Sequence, residues 1–148
     1  MRKIKYKKGG KLQPYNLEYT GIHKRTDSEM QLFVYDDANL SEYANFNFAD
    51  LKKSIDVKKT NWLNIHGLND LDLLKSMGDY FEIDDFMLTD ILNTTRRTKI
   101  EEQQDILFFN IKSLLPAENS DNISVEQISF LIKDGVLISF QEKRSDFF

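Results

Sequence analysis

Four carboxylates fall close together in this sequence, at Glu82, Asp84, Asp85 and Asp90. Such a stretch can attract a hard divalent cation, which takes oxygen ligands and keeps part of its water. Neighbouring acids are ordinarily a helix cap or a solvated face, and composition alone goes no further. Glu101-Glu102 is a second acidic pair with the same two readings. The two histidines, His23 and His66, lie in different segments, and neither has a His or Cys at ligand spacing. His66, at the end of an apolar run, reads as a partly buried structural residue. With no cysteine in the chain, disulfides, thiolate metal sites and cysteine nucleophiles are excluded. Lys8-Gly9-Gly10-Lys11 lacks the spacing and the flanking strand of a phosphate loop, and no Gly-x-Ser-x-Gly elbow occurs. Nothing assembles a nucleophile, a base and an orienting group. The expectation is that the chain is not an enzyme.

Charge separates the chain into two parts. Residues 1–12 carry six basic side chains and no acid, and the remaining 14 basic and 24 acidic residues leave the body at −10. The first part reads as a basic flexible arm, solvated or touching anionic lipid head groups, and 13–148 as one domain. An acidic body argues against a nucleic-acid partner, since phosphate binding rests on positive charge. The small cluster Arg96, Arg97 and Lys99 is read as cations near a helix C-terminus, with phosphate contact as the other reading. No apolar run approaches the roughly 18–20 residues of a membrane helix, and Met1 to Lys5 lacks the apolar stretch of a signal peptide.

The elements that must position these residues follow from periodicity. Met30 to Tyr35 and Trp62 to His66 read as strands, and Phe48 to Ile55 as a short helix. Asn69 is the expected N-cap of a helix with Leu73, Leu74, Met77 and Phe81 on one face. Asp84 is the expected cap of a second helix, with Met87, Leu88, Ile91 and Leu92 as its buried stripe. A helical wheel then turns Thr89 and Asp90 outward. Period-2 alternation over Ile106 to Leu115, Gln127 to Lys133 and Val136 to Phe140, with a two-residue turn at Asp134-Gly135, predicts three antiparallel strands. The fold class is α+β, a mostly antiparallel mixed sheet with helices packed against it. Phe147-Phe148 is a poor terminus for a water-exposed chain and reads as a stop within a longer gene product.

From Trp62 onward the sequence resembles the CorA family of divalent-cation transporters. Trp62-Leu63-Asn64-Ile65-His66-Gly67-Leu68 is similar to the family's tryptophan strand, and Leu88-Thr89-Asp90-Ile91-Leu92-Asn93 resembles its acidic segment, usually Glu-Asp-Ile-Leu. Arg97-x-Lys99-Ile100-Glu101, followed by Asp105-Ile106-Leu107-Phe108-Phe109, follows its Arg-Pro-Lys-and-strand pattern. Glu126 to Glu142 is similar to its last hairpin, after which Asp146-x-Phe148 leads toward a long stalk helix.

The resemblance implies the family's αβα soluble domain, N-terminal in a homopentamer and lying at the cytoplasmic face of the cell inner membrane. It implies a membrane partner region in C-terminal helices that this chain lacks. The function implied is metal sensing and gating for a divalent-cation channel carrying Mg2+, with Co2+ and Ni2+ as further candidates. Regulatory Mg2+ (or Co2+) is expected between neighbouring subunits, with Asp90 at the position of the principal ligand and its partner carboxylate on the neighbour's stalk. Thr89 stands where a glutamate is common, which puts a second, weaker metal site in doubt, and Asp84-Asp85-Phe86 stands where His-Pro-Leu is usual, leaving the local charge high. The alternatives are the zinc-exporting branch of the same superfamily and a stand-alone binding module with the same fold.

Overall fold

The computed structural model describes residues 16–23, 27–116 and 123–144. The stretch 1–12 read as a basic arm, residues 117–122 and residues 146–148 lie outside them.

Strand β1 (Glu29–Tyr35) buries Met30, Leu32 and Val34 and turns Gln31 and Phe33 to the opposite face, the period of 2 that its sequence predicts. The chain reverses at Asp36, whose carboxylate accepts hydrogen bonds from the Ala38 and Asn39 amides at 2.9 and 2.8 Å. It returns as β2 (Leu40–Ala44), an edge strand on which every residue is exposed. With neither face buried, β2 has no alternation to read, and periodicity gives no sign of it. After helix α1 (Phe48–Ser54) comes β3 (Thr60–His66), the tryptophan strand.

Helices α2 (Leu71–Phe81) and α3 (Asp85–Leu92) follow. The N-cap of α2 is Asp70 rather than Asn69: its carboxylate accepts from the Leu73 amide at 2.9 Å. Asn69 instead donates its side-chain amide to the His23 carbonyl at 2.7 Å, tying the helix entrance to the segment before β1. Adjacent Asn and Asp are equally good caps, and only the tertiary contact separates them. Asp84 caps α3 as expected, accepting from the Met87 amide at 2.8 Å.

Strands β4 (Lys99–Gln103), β5 (Ile106–Pro116), β6 (Ile123–Lys133) and β7 (Val136–Gln141) complete a seven-stranded sheet of order β2-β1-β3-β7-β6-β5-β4. Every neighbouring pair is antiparallel except β3 with β7, which is parallel. That one pairing joins the N-terminal half of the sheet to the C-terminal half. The β6–β7 turn is the predicted one: Asp134 and Gly135 have φ of 50° and 76°, as a two-residue hairpin loop requires.

The three helices pack on one face of the sheet. Leu51, Leu74, Met77, Phe81, Met87 and Ile91 from the helices share a single apolar cluster with Leu32, Leu63, Ile65, Phe108, Leu131, Ile138 and Phe140 from the strands. On the opposite face the register aligns Phe33, Trp62, Leu137, Ile132 and Leu107 in one row across five strands. Phe33 and Trp62 lie 5.2 Å apart there, and Phe109 and Phe130 stack at 4.9 Å. Among the described residues the helices form one layer, on one face of the sheet.

Gly67 ends β3 at φ 82°, and a Cβ there would meet the Asp27 carbonyl oxygen at 2.4 Å. Gly135 has φ 76° with open space around it. Gly135→Ala therefore carries only the left-handed backbone cost, about 1 kcal/mol. Gly67→Ala adds a backbone clash and is expected to lose at least about 2 kcal/mol. Urea unfolding of the two variants checks this; equal losses would mean that the Gly67 contact relaxes freely.

Candidate functional site

Helix α3 is buried from Met87 through Leu92, so its last carbonyls cannot be left to water. Strand side chains reach them. Gln127 Nε2 on β6 donates to the carbonyls of Asp90 at 3.1 Å and Ile91 at 3.4 Å. Lys112 Nζ on β5 donates to the Thr94 carbonyl at 2.5 Å and to Gln127 Oε1 at 2.9 Å. The Thr20 amide donates to the Leu92 carbonyl at 3.1 Å. Lys112 thus places a cation beside the negative end of the helix. Burial pushes its pKa down, and the Glu142 carboxylate partly opposes that.

This setting corrects the expectation that Thr89 and Asp90 face outward. Both are buried, at 8% and 7% exposure. The wheel gives the direction of a side chain around the helix, not what lies on that side, and here the residues after the helix fold back across it. Thr89 Oγ1 donates to the Asp85 carbonyl at 2.7 Å. Asp90 receives two cations from the returning chain: Arg96 Nε at 2.9 Å on Oδ1 and Lys99 Nζ at 2.5 Å on Oδ2. Lys99 also reaches Glu101 Oε2 at 2.5 Å, and its ammonium lies 5.4 Å from the centroid of the Phe108 ring. Its backbone amide donates to Asn110 Oδ1 at 2.9 Å, which pins the start of β4. Burial alone would lower the Lys99 pKa, but the Asp90 and Glu101 carboxylates outweigh it and hold the value above the ordinary lysine range. Of the basic cluster, Arg96 and Lys99 are engaged with Asp90 and Arg97 is exposed.

The four carboxylates of the acidic stretch do not converge. Glu82 pairs with Lys133 at 2.7 Å, Asp84 caps α3, and Asp90 is held by its two cations. Among the described residues no three Asp, Glu, His or Cys side chains are grouped to hold a metal ion. Asp90 in this arrangement does not fit a divalent cation. Each carboxylate oxygen already faces a positive group, and an arriving ion would meet like charge.

On the sheet face away from the helices, a hydrogen-bonded chain runs along the β3–β7 pairing. Trp62 Nε1 donates to Ser139 Oγ at 2.8 Å, and Ser139 donates to Asn64 Oδ1 at 2.8 Å. Gln141 Nε2 reaches the same oxygen at 3.1 Å, and Asn64 Nδ2 lies 3.1 Å from His66 Nε2. Since Asn64 Oδ1 accepts twice, its amide is the donor toward His66, and the imidazole nitrogen there must accept. A second proton on the ring would place donor against donor. Burial, aided by the Arg144 charge, lowers the His66 pKa, with the Lys143 backbone and Glu29 acting against it. Its expected structural role agrees with this placement.

Several polar residues at the site escape a pattern reading. Gln127 is one. Lys112 and Asn110 leave a signal, since they share a strand face with Ile106 and Phe108 and put polar groups in a core-facing register. Tyr19 leaves none: its hydroxyl donates to the buried Glu142 at 2.7 Å, and burial followed by that carboxylate pushes its pKa up.

No protein-family model matches the chain. The backbone is similar to the soluble domain of CorA from Methanocaldococcus jannaschii, with a TM-score of 0.53 at 13% identity, over 82% of this chain and 42% of that one. It is also similar to the ZntB cytoplasmic domain from Vibrio parahaemolyticus, with a TM-score of 0.58 at 13% identity, over 79% of this chain and 45% of that one. A mixed sheet with this topology therefore has the CorA-type soluble-domain fold. In sequence, the chain is 30% identical over 150 residues to the cobalt/magnesium transport protein CorA of Thermotoga maritima, a match that takes in 99% of this chain and 41% of that protein. The chain is thus similar along nearly its whole length to a CorA protein, and its backbone has the fold of the CorA soluble domain. It spans about two fifths of the length of this curated relative.

Asp90→Ala removes the shared counter-ion of Arg96 and Lys99. Both cations are partly exposed, so the expected loss in urea unfolding is about 1–2 kcal/mol rather than the several of a fully buried pair. A loss under about 0.3 kcal/mol would mean the segment after α3 is held without the carboxylate. His66 gives a pH signature. Its folded pKa lies below the ordinary 6.5, so its contribution is complete above that value. The contribution is lost as pH falls from there through the lowered folded value. The drop in unfolding free energy between about pH 7.5 and about pH 5 is expected to be smaller in His66→Gln than in the wild type. An unchanged drop would assign that acid sensitivity to the carboxylates.

Proposed function

We propose that this chain is the cytosolic metal-sensing and gating domain of a CorA-type divalent-cation transport protein. One observation carries the reading: nearly the whole chain aligns in sequence with a cobalt/magnesium transport protein, and its backbone has the fold of the CorA soluble domain. The transported ion under this proposal is Mg2+, with Co2+ as a second substrate. The fold likeness extends to ZntB as well, so backbone shape does not separate the branches. The sequence likeness is what favours the magnesium/cobalt branch over the zinc-exporting one. The role is non-catalytic, and the working assembly is a homopentamer at the cytoplasmic face of the membrane, joined to its membrane-spanning part through helices beyond these residues. No helix among the described residues is long and apolar enough to cross a membrane.

Gating follows from electrostatics. Acidic domains held side by side repel, and the repulsion grows where water is excluded between them. A divalent ion bound between neighbours favours the closed, symmetric arrangement by its difference in affinity between the two states. The resemblance assigns that ion to Asp90. For Asp90 to serve, the assembled protein must draw Arg96 and Lys99 away from it.

A chimera tests the reading. This chain replaces the matching domain of the Thermotoga maritima protein, and the purified product is challenged with protease with and without Mg2+. The expected result is an assembled membrane protein whose cleavage slows severalfold in Mg2+. Assembly with cleavage indifferent to Mg2+ and Co2+ would remove the sensing role, and a chimera that neither assembles nor transports would remove the transport reading itself.

A further inference from the structure

Lys99 is placed as a bound cation would be. Its Nζ lies 2.5 Å from Asp90 Oδ2 and 2.5 Å from Glu101 Oε2, between two carboxylates from different elements, while Arg96 Nε takes the other Asp90 oxygen at 2.9 Å. The surroundings hold that ammonium in place. The Lys99 backbone is fixed by its amide bond to Asn110 and by the β4–β5 pairing, and its charge rests near the Phe108 ring. The Asp90 side chain is only 10% exposed. Two carboxylates, one ammonium and one guanidinium leave no net negative charge at the cluster to draw in a dication.

We propose that Lys99 is a built-in counter-ion, whose ammonium occupies the place between Asp90 and Glu101 that a divalent cation would take and, in the unassembled chain, keeps this carboxylate pair closed to free ions. The inference rests on the CorA-type reading only in taking Asp90 as the position where an ion is expected. The physical basis is tethering. A cation delivered by its own backbone has an effective concentration far above that of a free ion and leaves no translational entropy to be lost on pairing. Mg2+ must also shed part of a tightly held water shell to replace it. The Asp90–Lys99–Glu101 bridge then does structurally what a bound ion does elsewhere: it fastens α3 to the start of β4.

The experiment is thermal unfolding of the chain with and without about 10 mM Mg2+, against NaCl of equal ionic strength. The variants are Lys99→Met and the double variant Lys99→Met with Asp90→Asn. The wild type is expected to show no Mg2+-specific shift in Tm. Lys99→Met keeps the apolar stem and loses the charge; its Tm falls by a few degrees without Mg2+. About 10 mM Mg2+ then raises it by about 3–5 °C, the shift for a Kd near 1 mM. The double variant is expected to lose that response. A saturable Mg2+ shift in the wild type that Asp90→Asn abolishes would overturn the counter-ion role while supporting an ion site at Asp90. A folded Lys99→Met, or Lys99→Gln should the first not fold, that gains no Mg2+ response would also overturn it, leaving the transport reading untouched.

Discussion

A short helix that ends inside a protein must find partners for its last carbonyls, and the end of α3 makes that demand on everything around it. Eight residues give few carbonyls that are satisfied within the helix itself. The open ones are met by Gln127 from β6 and the amide of Thr20, while Lys112 from β5 donates to the Gln127 side-chain oxygen and to the Thr94 carbonyl just beyond the helix. Each donor comes from a different part of the chain. The register of β5 with β6 places Lys112 opposite Gln127, so the side chain that meets the helix is held by its cross-strand neighbour. Orientation of Asp90 is a consequence. With the helix end fixed, the chain leaving it brings Arg96 and Lys99 to that carboxylate.

Local pattern was enough for much of this. The two apolar strands β1 and β3, the cap at Asp84 and the Asp134-Gly135 turn are set by nearest neighbours, and each is where alternation or turn chemistry puts it. The edge strand β2 has no buried face and so no signature, and the choice of Asp70 over Asn69 depends on a contact with His23 that is distant in sequence. Asp90 shows the limit most clearly. Its position on the helix was legible, but its burial depends on where residues after Leu92 go, and nothing in an eight-residue window encodes that path. The likeness to CorA, in contrast, was legible from four ordered segments, because likeness accumulates along a chain while geometry does not.

The acidic stretch and the acidic body act on different length scales. Averaged over the domain, charge is negative and falls off within a Debye length of the surface. At the level of contacts, Glu82, Asp84 and Asp90 each have a specific positive or amide partner. A surface can therefore repel a copy of itself while its individual carboxylates are satisfied. Net charge and site charge need not agree, and inferring one from the other would mislead here.

The parallel seam between β3 and β7 has a consequence for how the chain acquires its shape. Asn61 lies opposite Val136, and His66 opposite Gln141, so the central strands of the sheet are far apart in sequence. During synthesis β1, β2 and β3 emerge long before their partner, and the half-sheet they form exposes the edge of β3 until the last strand arrives. Closing so long a loop makes the seam a late and slow event. The polar chain along the seam marks the same pairing in side chains: Asn64 of β3 takes its hydrogen bonds from Ser139 and Gln141 of β7, and so is answered only once that late strand is in place.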